Sequence, residues 1–248
     1  MERLDIVYIL KDGIVPDELT YSLRSVDQNF PHRKVWFVGA QPEGLYPDGH
    51  IVHTQVGYSK WERVRSSLLE VIRNEDITED FYLFNDDFFV MKPVRNFIDF
   101  TDGSLDRRIR ELTSRVGQSS YTRLLKRARE ELTIEGCDIM SFAVHAPMKL
   151  NRHKLELIVT KYEGLGFRSM YGNIYRIPYI YHEDVKIYNN DIEPSADMDF
   201  ISTSDGSFKD GKVGEYIRER FVKPSRFERG YPLANSERYT EEGDEVYG

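Results

Sequence analysis

Three polar residues, Asn85, Asp86 and Asp87, interrupt an otherwise apolar run from Phe81 to Val90. Adjacent carboxylates at the end of a buried strand repel each other and lose hydration, so the pattern calls for a compensating positive charge. A hard divalent cation is one answer: Asp86 and Asp87 would give Mg²⁺ or Mn²⁺ one or two oxygen ligands. The plainer answer is that the pair caps a helix or a turn.

Other residues could take part in the same chemistry. Asp12, in Lys11-Asp12-Gly13, follows the first predicted strand. Lys60, Arg63 and Arg65 start a predicted helix, where cations pair with phosphate oxygens or simply face solvent. Their spacing of i, i+3 and i+5 does not put all three on one helical face, so Lys60 with Arg63 is the pair expected to act together. His145 precedes Ala146-Pro147 at the end of an apolar run, and an imidazole there would take a proton from a hydroxyl or serve as a hydrogen-bonded structural residue. Arg168 and Asn173 lie downstream; Arg168 would stabilise developing negative charge or sit on the surface. The remaining histidines lack zinc-ligand spacing. The chain has no Walker loop, no Gly-x-Gly-x-x-Gly and no Gly-x-Ser-x-Gly.

The elements that must position these residues follow from periodicity. Asp5–Leu10, Lys34–Gly39 and Ile51–Val56 read as strands, with helices over 18–30 and 59–74. The run with the two carboxylates is the fourth strand. This alternation predicts an α/β fold with a mainly parallel central sheet flanked by helices. Such sheets bind ligands at the carboxyl ends of their strands, which would bring Asp12 and Asp86–Asp87 to one cleft. A charged stretch, about 104–133, reads as a helical insert divided near Gly117. Its arginines, Arg107 to Arg129, form either a solvated face or a basic grip. Asp138–His145 reads as a strand returning to the core, 152–162 as a helix, Val185–Tyr188 and Phe200–Ser202 as short strands, and Gly214–Phe221 as a late helix. The polar cluster within Phe200–Phe208, with Ser204-Asp205-Gly206-Ser207 in sequence, reads as a tight turn or as a segment that closes over a ligand. A polar tail runs from about 225 to 248. No repeat or linker divides the chain, so residues 1–248 read as one domain.

Composition bounds the function. The chain has 248 residues, 40% hydrophobic and 31% charged, with 14 Phe and 16 Tyr, so it can build a core. A net charge of −8 makes nucleic acid a poor general partner. The single cysteine, Cys137, excludes an intrachain disulfide and fits a reducing compartment. The charged N-terminus is too brief an apolar segment for a signal peptide, and no run is long enough to span a membrane. The sequence thus reads as cytoplasmic.

The ordered set Asp5-Ile6-Val7-Tyr8, Asp12-Gly13, Ser22-Leu23-Arg24-Ser25, Phe84-Asn85-Asp86-Asp87-Phe88-Phe89 and His145-Ala146-Pro147 resembles the conserved regions of the stealth family. Members of that family transfer sugar phosphates in bacterial capsule synthesis and on lysosomal enzymes. More loosely, the layout is similar to a GT-A nucleotide-sugar transferase, in which an Asp-rich motif ends a central strand. The family's Trp-Val-Asp/Asn-Gly is replaced here by Ile9-Leu10-Lys11-Asp12-Gly13. The resemblance implies a metal-dependent transferase with Mg²⁺ or Mn²⁺ on Asp86 and Asp87, and a nucleotide-sugar donor, by preference a UDP-sugar. The donor would lie against Asp12, Arg24, Lys60 and Arg63, and a hydroxyl acceptor would react near His145, Arg168 and Asn85. Asn85 would orient a carboxylate or bond the sugar. Whether a sugar or a sugar phosphate is transferred stays open. The reading from another class is a catalytically silent carbohydrate- or nucleic-acid-binding module.

Overall fold

The computed structural model describes residues 2–14 and 16–228. Five strands form the central sheet: β1 (Asp5–Leu10), β2 (Val35–Gly39), β3 (Gly49–Val52), β4 (Asp80–Phe84) and β7 (Met148–Asn151), in the order β3-β2-β1-β4-β7. The first four run parallel, and β7 closes the edge antiparallel to β4. Side chains alternate along these strands, and both faces are buried along the central strands β1, β2 and β4, as parallel sheets require, while the edge strands β3 and β7 are partly open. Ile6, Tyr8 and Leu10 meet Leu19, Leu23 and Val26 of α1 (Pro16–Asn29). Val7, Trp36 and Val38 meet Leu68 and Val71 of α2 (Lys60–Arg73). Ser59 caps α2 by a capping box with Glu62.

Asp5 locks the start of the sheet. Its fully buried carboxylate accepts from Arg33 Nε and Nη2 (2.7 and 2.6 Å), Trp36 Nε1 (2.9 Å) and the Thr78 and Lys34 amides (3.1 and 3.2 Å).

A second sheet, in the order β5-β10-β9, leans on the first; its strands are β5 (Phe88–Val90), β9 (Lys186–Ile187) and β10 (Phe200–Thr203). Its outer face is covered by Phe208 of α7 (Asp205–Asp210) and by Val213 and Ile217 of α8 (Lys212–Arg220). A parallel pair, β6 (Asp99–Thr101) and β8 (Tyr179–Tyr181), completes the strands among the described residues. The charged stretch forms α3 (Leu105–Val116) and α4 (Ser120–Ile134); α5 (Arg152–Lys161) and α6 (Phe167–Ile174) follow.

The structure corrects three sequence expectations. Residues 138–145 are not a strand. They run alongside α6, whose side chains satisfy part of their backbone: Asn173 bonds Met140 N and O, Ser169 Oγ accepts from Phe142 N, and Arg168 Nη1 donates to Val144 O and Ala146 O; the backbone of residues 102–105 takes up Ile139 O and Ser141 N and O. The strand beside β4 begins later, at Met148. Ser204–Ser207 is not a free turn but the capping box that starts α7. The third strand lies at Gly49–Val52 rather than 51–56. Of the expected tail, residues 229–248 lie outside the described residues.

Candidate functional site

The apolar run around the two carboxylates is two strands in different sheets. β4 ends at Phe84 in the central sheet, and β5 starts at Phe88 in the second. Asn85-Asp86-Asp87 is the turn between them, closed by Phe88 N–H donating to Asn85 O (3.3 Å). Because β1 and β4 are parallel neighbours with Tyr8 beside Phe84, the Lys11-Asp12-Gly13 turn emerges next to this one. Asp12 and Asn85 are both exposed there.

The two carboxylates have different surroundings. Asp87 is buried, and its Oδ2 accepts from Lys186 Nζ at 2.6 Å and Ser202 Oγ at 2.9 Å. Its Oδ1 is buried without a hydrogen-bond partner. Burial works to lower the Lys186 ammonium, but the charge and hydrogen bond of Asp87 outweigh it and hold its pKa above the ordinary lysine value. Asp86 is half-buried, and burial, then the charge of Asp87, pushes its pKa up against the opposing charges of Lys11 and Lys186. Glu18, in the first turn of α1, accepts from Thr203 Oγ1 at 2.6 Å. Burial pushes Glu18 up to about 7, and Asp87, Asp86 and Asp205 add to the rise. This end of the sheet therefore carries more negative charge than its two lysines balance.

That imbalance and the orphaned Oδ1 fit a divalent cation. Among the described residues, no group of three His, Cys, Asp or Glu side chains is placed to hold an ion unaided. The donor set suits Mg²⁺ or Mn²⁺ held by one or two carboxylates, with the remaining ligands drawn from substrate phosphates and water.

A second constellation adjoins the first. His145 Nδ1 lies 2.9 Å from both oxygens of Asp184, and Asp184 Oδ1 also accepts from the His145 amide (3.2 Å). The ring is thereby oriented, and Nε2 is left as the nitrogen available to a substrate. Asp184 is paired in turn with Arg108 of α3 at 3.4 Å, and Arg108 with Asp102 at 3.3 Å. Burial works to raise Asp184, but His145 and then Arg108 hold it below the usual carboxylate range. Arg168 Nη1 grips the carbonyls on either side of His145, 2.7 and 2.8 Å away, and its guanidinium lies 5.8 Å from the Phe88 ring centroid. Burial lowers Arg168 to about 10, and its Nη2 is buried without a partner. Asp184 and Lys186 are two residues apart, which joins the two constellations.

The structure thus brings Asp86, Asp87, His145 and Arg168 into one region, with Asp12 and Asn85 at its edge. It treats the other candidates differently. Arg24 is spent on Glu228, which it grips with Nε (2.9 Å) and Nη2 (2.7 Å), while Nη1 donates to Phe221 O (2.9 Å). The expected donor contact is replaced by a tie between α1 and the segment after α8. Lys60 and Arg63 are exposed and make no side-chain hydrogen bond or ion pair with the Asp86–Asp87 turn. Lys60 lies 5.9 Å from the Trp61 ring centroid, and Trp61 stacks on Tyr121 of α4 at 5.4 Å. Asn173 clamps Met140 instead of meeting a ligand.

Sequence reasoning missed Glu18, Arg108, Asp184, Lys186, Ser202 and Thr203. One signal for two of them was present. In Asp184-Val185-Lys186-Ile187-Tyr188 the apolar residues alternate with polar ones, so Asp184, Lys186 and Tyr188 share a face. Val185 and Ile187 are buried, and the other three are not.

No protein-family model matches the chain. No curated protein matches it either. Among solved structures, the glycosyltransferase GlyE of Streptococcus pneumoniae TIGR4 is similar, with 11% identity over 73% of this chain and a TM-score of 0.33. The matched region covers 45% of that chain. So distant a likeness carries no argument about function. No helix among the described residues is long and apolar enough to cross a membrane.

Proposed function

We propose that the chain is a GT-A-like, nucleotide-sugar-dependent transferase that passes a sugar or a sugar phosphate to a hydroxyl acceptor. The observation that carries this reading is the meeting of two constellations at the carboxyl end of β4: an acidic turn short of positive charge, and a histidine oriented by an aspartate. The first suits a donor diphosphate brought in with Mg²⁺ or Mn²⁺, and the stealth-like motif order points the same way. When bound, the ion would neutralise charge on the phosphates. The second suits an attacking hydroxyl.

The protein's own residues then divide the work. Asp86 and Asp87 would hold the ion, and Lys186 would add a fixed positive charge beside it. Asp12 and Asn85, exposed at the rim, would bond the donor. His145 Nε2 would take the acceptor proton while Asp184 stabilises the resulting imidazolium. Arg168 would fix the His145 backbone and turn its unpartnered Nη2 toward a charged oxygen. In sugar transfer the hydroxyl attacks the anomeric carbon and a nucleoside diphosphate leaves. In sugar-phosphate transfer it attacks phosphorus and a nucleoside monophosphate leaves.

A panel of nucleotide sugars with Mn²⁺ or Mg²⁺, UDP-sugars first, tests the reading by thermal shift, since a bound donor raises the melting temperature. The nucleotide released on turnover identifies the bond broken. If no donor shifts the melting temperature, or Asp86→Ala and Asp87→Ala leave the shift unchanged, the proposal fails. Three of the seven insert arginines are engaged by carboxylates, Arg107 by Glu111, Arg108 by Asp102 and Asp184, and Arg129 by Asp106, which weakens the basic face that the nucleic-acid reading needs.

A further inference from the structure

We infer that Lys186 is a built-in cation of the donor site, bridging Asp87 and a phosphate oxygen, so that this chain holds a nucleoside diphosphate without a divalent ion. The inference rests on the transferase reading and sharpens it.

Four observations carry it. The ammonium sits 2.6 Å from Asp87 Oδ2, the carboxylate expected to need a counter-charge. An ammonium has three donors, and Asp87 supplies the side-chain acceptor for one, leaving two for a ligand. The Lys186 side chain is 16% exposed, which places it at the boundary between the core and solvent. Its backbone is fixed, because β9 pairs with β10 at Ser202 and Ser202 Oγ holds the same Asp87 oxygen.

Charge makes the role necessary. An incoming diphosphate meets Glu18, Asp86 and Asp87 and would be repelled by them. Lys186 and Lys11 are the cations that act on Asp86. Lys11 adjoins an exposed turn, whereas Lys186 is already seated on the carboxylate. Lysine suits the task, because a compact point charge bridges two anions without the fixed fork of arginine. With this charge in place, an added divalent ion would strengthen the diphosphate's hold rather than create it.

The test is calorimetric titration of the full chain with UDP, GDP, CDP and ADP, in EDTA and in Mn²⁺. The wild type should bind at least one diphosphate in EDTA. Lys186→Met should weaken that binding by about tenfold or more, and Mn²⁺ should restore part of it. Because Lys186→Met leaves Asp87 buried and unpaired, the Asp87→Asn/Lys186→Met double variant serves as the folding control; it should melt cooperatively and bind as weakly in EDTA. Wild-type binding that appears only with Mn²⁺ would overturn the inference and leave the transferase reading standing. Lys186→Met binding as tightly as wild type in EDTA would also overturn it. No wild-type binding under either condition would sink both.

Discussion

Asp99 offers a quantitative test of the region behind the site. It opens β6 with 8% exposure, and its carboxylate accepts from the Lys149 amide at 3.0 Å. Burial pushes it up to about 7, against the opposing charges of Arg168 and Lys149. The folded chain then keeps a proton that the unfolded chain releases near pH 4, so the folded state is favoured at low pH and loses that advantage as pH rises toward 7. Each pKa unit is about 1.4 kcal/mol, so a shift of roughly three units amounts to about 4 kcal/mol once both states are ionised. Asn at this position keeps an oxygen for the Lys149 amide and carries no charge. From about pH 5 to about pH 8, the unfolding free energy of the wild type should therefore fall by roughly 3 kcal/mol more than that of Asp99→Asn. Urea unfolding across that range gives both curves. Glu18 adds a fall of its own, and His32, whose burial lowers its pKa, adds a rise; both are common to the two proteins and cancel in the difference. Parallel curves would refute the reasoning. They would mean that Arg168 turns its unpartnered Nη2 onto Asp99 and keeps the carboxylate charged.

Three further outcomes follow from the geometry. Asp184→Asn should lower turnover with whichever donor the screen identifies by at least about a hundredfold, with the melting temperature little changed; equal turnover would remove His145 as the base. Arg24→Met should cost about 1–3 kcal/mol in urea unfolding and leave donor affinity as it was, because its guanidinium is spent on Glu228; weaker donor binding in a fully folded variant would return Arg24 to the site. Asp5→Ala should cost about 3 kcal/mol, at about 1–3 kcal/mol for each buried donor left unsatisfied, because the Trp36 indole N–H and the Thr78 and Lys34 amides lose their acceptor while the 40% exposed Arg33 turns to solvent; a loss below about 1 kcal/mol would show that water replaces the carboxylate.

The local part of the fold was legible because it obeys local rules. Apolar runs and capping residues marked β1, α1, β2 and α2 to within a residue or two, and Gly117 marked the break between α3 and α4, but the single strand read around Asp86–Asp87 is two, β4 and β5. The two carboxylates stood out because acids are rare inside apolar runs. What sequence reasoning could not supply was partnership across long separations. Lys186 follows Asp87 by 99 residues, and Asp184 follows His145 by 39. The demand for a positive charge was readable at Asp86–Asp87, but a lysine can meet part of it, and nothing local says which lysine. Residues 138–145 have the composition of a strand and failed as one because their backbone is shared between side chains of α6 and an irregular pairing with residues 102–105. Arg24 matched a motif by position, while its side chain answers to Glu228, more than two hundred residues away.

The clamp between α6 and the segment carrying His145 has an evolutionary consequence. A strand in a sheet is held by a repeating ladder, so moving one rung moves them all. Here each rung is a separate side chain, Arg168, Ser169 or Asn173, and each can be exchanged alone. Selection can therefore reposition the histidine by small steps while the sheet beneath it keeps its register. Related chains that share this clamp should diverge first in what they accept, and only later in how they fold.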